Sequence, residues 1–125
     1  MYETEIIKYL LVECDGLHPF YISRIVALLD IEYLKEKGKK LTDFDYQKTQ
    51  FGFYSNKIPE ILNNLNVEKI ESERGNYLKL KHQNEEIVLP DEVKKKINEI
   101  LDRVCDLPDS EINRMIIESP HYDKL

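Results

Sequence analysis

The stretch PFYISRIVALLDIEYLKEKG, residues 19–38, decides the fold. Ile22, Ile25, Val26, Leu29 and Tyr33 follow the i, i+3, i+4, i+7 spacing of an α-helix, and Leu28, Ile31 and Leu34 widen that stripe. A helix this apolar around its circumference needs other elements on most sides, so it is expected at the centre of the core. Pro19 suits a first helical position and Gly38 a left-handed stop.

Upstream, Ile6, Leu10 and Cys14, with Ile7 and Leu11 beside them, predict an amphipathic helix over about 3–14, ended by Gly16. Downstream, residues 39–54 hold no sustained helical period and contain five aromatics. They read as an ordered loop with a short extended piece. A third helix is expected over about 56–65, capped by Ser55 or Asn56, with Ile58, Ile61, Leu62 and Leu65 inward. Alternation through Leu78 and Leu80, and the turn residues RGN at 74–76, predict a β-hairpin over 67–82. Two more helices follow, from Pro90 through Val104 and from Pro108 through Ile116. The class is mainly α (α+β): about five helices with one β-hairpin, in a winged-helix-like element order. With no repeats and no Gly- or Ser-rich linker, residues 1–125 are expected to form one domain.

At 125 residues, 42% hydrophobic and 34% charged, the chain falls on the folded side of the disorder boundary. No run reaches the roughly 18–20 apolar residues that span a bilayer, and residues 1–16 lack a signal peptide's basic start and unbroken apolar run. A cytoplasmic protein is expected. Cys14 and Cys105 stand far apart without a CxxC pair, and each reads as a buried thiol beside apolar residues.

No nucleophile elbow, HExxH, Walker loop or GxGxxG is present, the four glycines are scattered, and His18, His82 and His121 are far apart. No enzymatic activity and no cofactor or metal are expected. Under a winged-helix reading, Lys57, Asn63 and Asn64 on the third helix would reach a groove while Arg74, Lys79 and Lys81 on the hairpin met phosphates. The net charge of −6, with Glu60 beside Lys57 and Glu68, Glu71 and Glu73 on the hairpin, argues against a basic stripe. Protein binding fits better. In FDYQKTQFGFY, residues 44–54, five of eleven residues are aromatic, and aromatics are the usual anchors of interfaces. Gly52 turns the chain with Phe51 and Phe53 on different sides; one anchors the loop, and the other, with Tyr54, is expected to meet a partner.

The same residues resemble the Panacea domain, the antitoxin-like group that includes the phage-associated GepA and SocA-type proteins. Arg24 to Asp30, followed by Ile31, Tyr33 and Leu34, match its helix. Gly38 matches its glycine, Leu41 and Thr42 the next step, and Tyr46 and Phe51–Gly52 its aromatic and glycine loop. The tail LPDSEINRMIIESPHYDKL, residues 107–125, is similar to its closing helix, with Tyr122 where a tryptophan is common; Phe53 replaces the usual loop proline. The resemblance implies a non-catalytic module that binds and neutralises a partner protein, a toxin. Asp30, Gly38, Tyr46, Phe51, Gly52 and Tyr122 carry over as structural or interface residues. An acidic body favours a basic partner, such as a toxin acting on nucleic acid.

Overall fold

The computed structural model describes residues 2–49, 52–73, 75–82 and 86–125, apart from the side chain of Thr49. The expected central helix is α2, Pro19–Lys37. Ile22, Ile25, Val26, Ala27 and Leu29 are fully buried, because neighbours cover it on several sides. The His18 imidazole caps its start by accepting from the Phe20 amide (Nδ1···N 3.1 Å), and Gly38 ends it at φ 73°.

Helix α1, Glu3–Glu13, buries Ile6, Ile7, Leu10 and Leu11 in the same core. Helices α3, Lys57–Asn64, α4, Asp91–Val104, and α5, Asp109–Ile117, each bury one narrow apolar face. That face is Ile58 and Leu62 in α3, Val93, Ile97, Ile100 and Val104 in α4, and Ile112 and Ile116 in α5. Lys96 pairs with Glu36 (2.6 Å) and Lys37 with Glu92 (2.7 Å), while Arg103 reaches Glu32 (3.0 Å), so α2 and α4 are laced along their rims. At the start of α3 it is Ser55 that bonds the chain: its Oγ accepts from the Lys57 amide at 3.4 Å, and Asn56 forms no side-chain cap.

Two antiparallel strand pairs stand where one hairpin was expected. The predicted hairpin is β3, Val67–Ser72, with β4, Gly75–Leu80, in register Val67↔Leu80 to Ser72↔Gly75. The additional pair, β1, Gln47–Thr49, and β2, Gly52–Tyr54, lies inside the stretch read as a loop, in register Gln47↔Tyr54 to Thr49↔Gly52. Strands of three residues are too short to show a period of two, so the alternation that exposes β4 is missing there. Leu17, in the turn between α1 and α2, bridges to Leu78 through both backbone hydrogen bonds, 2.8 and 2.9 Å. Gly16 makes this possible. At φ 105° it lies against the Tyr77 ring, where a Cβ would come within 2.5 Å of the ring edge.

The thiols differ from expectation. Cys14 and Cys105 are the residues at which α1 and α4 stop; Cys14 is half-buried and Cys105 exposed. The periodicity that placed them inward runs out at the helix ends. Among the described residues, no helix is long and apolar enough to cross a membrane.

Candidate functional site

The segment after α2 is fastened by one carboxylate. Asp30, on α2, is wholly buried. Its Oδ1 accepts from the amides of Leu41 (3.1 Å) and Thr42 (3.0 Å), and its Oδ2 from the hydroxyls of Thr42 (2.6 Å) and Tyr46 (2.8 Å). All four donors are neutral. Lys40 is close enough to favour the charge but bonds the Phe44 carbonyl. Burial pushes the Asp30 carboxyl up, and the bonds from Thr42 and Tyr46 offset only part of that. The Tyr46 hydroxyl is pushed well above 10.0, by burial first and by the Asp30 charge second. Glu3 and Lys57 hold the next residue, the former accepting from the Asp43 amide (2.7 Å) and the latter donating to its carbonyl (3.3 Å).

The sign of the Asp30 shift gives a measurable consequence. A folded-state pKa above the ordinary 3.8 means that the native state keeps this proton to higher pH than the unfolded chain. The contribution is fully present below 3.8 and is lost as pH rises through the raised folded value. Urea titrations across that window are expected to show the stability advantage of the wild type over Asp30→Asn shrinking as pH rises. An advantage that grew with pH would reverse the assigned cause.

From Tyr46 the aromatics pack edge to face in a row: Phe44 on Tyr46 (6.3 Å between centroids), Tyr46 on Phe53 (6.1 Å), Phe53 on Tyr122 (6.2 Å). Lys48 covers the far end, 4.7 Å above the Tyr122 ring. Tyr122 sits in a 3₁₀ turn, Tyr122–Lys124, so the C-terminal end is bound back to β2. The expected partner-facing residues therefore separate. Tyr46 is buried, Phe53 and Tyr122 are half-buried in this row, Gly52 opens β2, and Phe51 lies outside the described residues.

Tyr54 alternates to the other side of β2 and meets Phe20 edge-on at 5.3 Å. Phe20 also lies against His18 at 5.0 Å and is 55% exposed, one of three large apolar side chains that are exposed among the described residues. Sequence reading passed over Phe20 because it precedes the periodic stripe of α2. The available signal was a phenylalanine in the first helical turn, after Pro19, out of phase with Ile22 and Ile25. Beside it an open groove of about 880 Å³ runs between the α1–α2 turn and the β3–β4 hairpin, walled by Phe20, Tyr21, Arg24 and Tyr77. Arg24 is already engaged, with Asn113 (2.9 Å) and Asp109 (3.5 Å).

The residues named for nucleic acid do not converge. Lys57 is spent on Asp43, and Lys79 pairs with Asp15 at 2.8 Å. Asn63 is exposed on α3, and Arg74 lies outside the described residues. The hollow beside α3 is lined by Glu3, Asp43 and Glu60 as well as Lys57. Among the described residues, no group of three or more His, Cys, Asp or Glu side chains is placed to hold a metal ion.

No curated protein and no solved structure matches this chain. A family model does, that of the SocA-like antitoxins with a Panacea domain, over residues 23–121. That span runs from the second turn of α2 through Asp30, its bonded loop, both strand pairs and Phe44, Tyr46 and Phe53 of the aromatic row to His121, one residue short of Tyr122. The chain thus belongs to the antitoxin SocA-like, Panacea-domain family.

Proposed function

We propose that this chain is a cytoplasmic, non-catalytic module that binds and neutralises a protein toxin, with Phe20 and Tyr54 as its docking anchors. Family membership supports a regulatory role of the toxin–antitoxin type. The observation that carries the site is Phe20, more than half exposed yet braced edge-on by Tyr54. An exposed aromatic held rigid beside a groove loses little side-chain entropy on binding, as interface hot spots require. The net charge of −6 favours a basic partner through long-range attraction. Phe53 and Tyr122 then serve the site indirectly, since their packing fixes the strand that carries Tyr54.

A second reading rests on the Leu17–Leu78 bridge, which adds a third, one-residue strand to the β3–β4 hairpin in the manner of a winged helix. The acidic hollow at α3 opposes it, because phosphate contacts need unpaired cations there.

Affinity capture from host lysate with nuclease present separates these readings. The wild type is expected to retain a protein that arrests growth when expressed alone, and coexpression of the wild type is expected to restore growth. Phe20→Ala and Tyr54→Ala, folded by circular dichroism, are each expected to weaken that complex by about 30-fold. Retention undiminished in both variants would remove the aromatic anchors. Salt-sensitive retention of host DNA, with no protein captured, would replace the antitoxin reading with the winged-helix one.

A further inference from the structure

We propose that Cys14 and Cys105 form a redox-responsive thiol pair, which a hydroperoxide closes into an intramolecular disulfide between the ends of α1 and α4. The chain has two cysteines, and both line one open cleft of about 560 Å³, beside Glu13, Leu17, Tyr21 and Asp102. They arrive there because the last turns of α1 and α4 face the same cleft, Asn98, Leu101, Asp102 and Cys105 on one side and Glu13 and Cys14 on the other. Glu5 accepts from the amide of Val88, in the segment before α4 (3.2 Å), and a turn later in α1 the Tyr9 hydroxyl donates to Asn98 of α4 (3.0 Å) under Lys94. Each helix then stops at its cysteine.

Packing alone does not account for the pair. Unpaired cysteines are among the most buried residue types, yet Cys105 is exposed. Cys14 is half-buried, and burial, followed by the neighbouring Glu13 carboxylate, pushes its thiol up. Tyr21 lines the same cleft as both cysteines. The accessible thiol therefore reacts first and the shielded one resolves it.

In the first step the Cys105 thiolate attacks a peroxide oxygen, the O–O bond breaks, and a sulfenic acid forms with release of water or alcohol. In the second the Cys14 sulfur, losing its proton, attacks the sulfenic sulfur; the S–O bond breaks and hydroxide leaves as water. Two electrons pass from the thiols to the peroxide. A disulfide holds the Cα atoms about 4.4–6.8 Å apart, so the bond would set that separation between the two helix ends. The bond would fasten α1, which lies outside the 23–121 family match, to α4 within it.

The test treats the full chain with hydrogen peroxide and maps it by mass spectrometry without reduction. The expected product is a monomer lacking its two thiol hydrogens, with a Cys14–Cys105 linked peptide. Its Tm is expected to rise by about 5 °C or more over the reduced protein, since a long loop is closed in the unfolded chain. Cys14→Ser and Cys105→Ser should each abolish the rise. Dimers linked through Cys105, sulfinic acid at Cys105 with Cys14 still alkylated, or two thiols left free would each overturn the proposal.

Discussion

Asp30→Ala is expected to destabilise the fold by about 3 kcal/mol or more at neutral pH. The carboxylate accepts from two backbone amides and two hydroxyls, all partly or wholly buried. Its removal leaves those donors without an acceptor, at roughly 1–3 kcal/mol for each that cannot turn to another partner. The two hydroxyls can rotate. The amides of Leu41 and Thr42 cannot, so the loss concentrates on them. Removing a buried charge offsets part of the cost, which keeps the sum below four full penalties. Asp30→Asn keeps an acceptor for the amides and is expected to cost about 1–2 kcal/mol. Urea unfolding followed by circular dichroism measures both, and an alanine variant within about 1 kcal/mol of wild type would mean the loop is held by something else. The same variant bears on function, because the released residues 41–46 lead into β1 and β2. Tyr54 would lose its footing and Phe20 its brace.

The next largest effect is expected at Gly16. Gly16→Ala should cost about 2–4 kcal/mol, of which roughly 1–3 kcal/mol is backbone strain at a positive φ of this kind. The remainder is steric: the new methyl would meet the Tyr77 ring at 2.5 and 2.6 Å and the Leu78 carbonyl at 3.1 Å. The two parts are separable. In Gly16→Ala, Tyr77→Ser the ring is gone while the strain and the Leu78 carbonyl contact remain, so a double-mutant cycle is expected to recover the ring's share alone. Full recovery would show that the backbone adapts without cost. No recovery would show that the ring moves aside freely in the single variant.

What the chain disclosed in advance depended on how local each signal was. The α2 stripe, Gly38 and the RGN turn each act over a few residues, and their elements stand where the spacing put them. Pro90 and Pro108 likewise mark the starts of α4 and α5. The β1–β2 pair escaped because three-residue strands carry no period. Asp30 was legible as a charge on an apolar helix and as a family position, but its four donors come from 11 to 16 residues further on. Tyr122 was singled out as an aromatic of the tail, while its stacking on Phe53 joins segments that no sequence window contains. Phe20 was passed over and Cys105 placed inward for one reason. Both lie at helix ends, where periodicity no longer says which way a side chain points.

The bridge between Leu17 and Leu78 has a consequence for the order of folding. Its two hydrogen bonds close a loop spanning nearly half the chain, containing α2, both strands of the additional pair and α3. Such a contact carries a large closure entropy and little enthalpy of its own. It can form only after α2 has collected its neighbours and the hairpin has zipped from its own turn, both of which need mainly nearby residues. On a ribosome, α1 and the α1–α2 turn emerge long before β4 exists, so through that interval the Leu17 amide and carbonyl lack their Leu78 partner. The edge that completes the small sheet is thus made early in sequence and filled late in time.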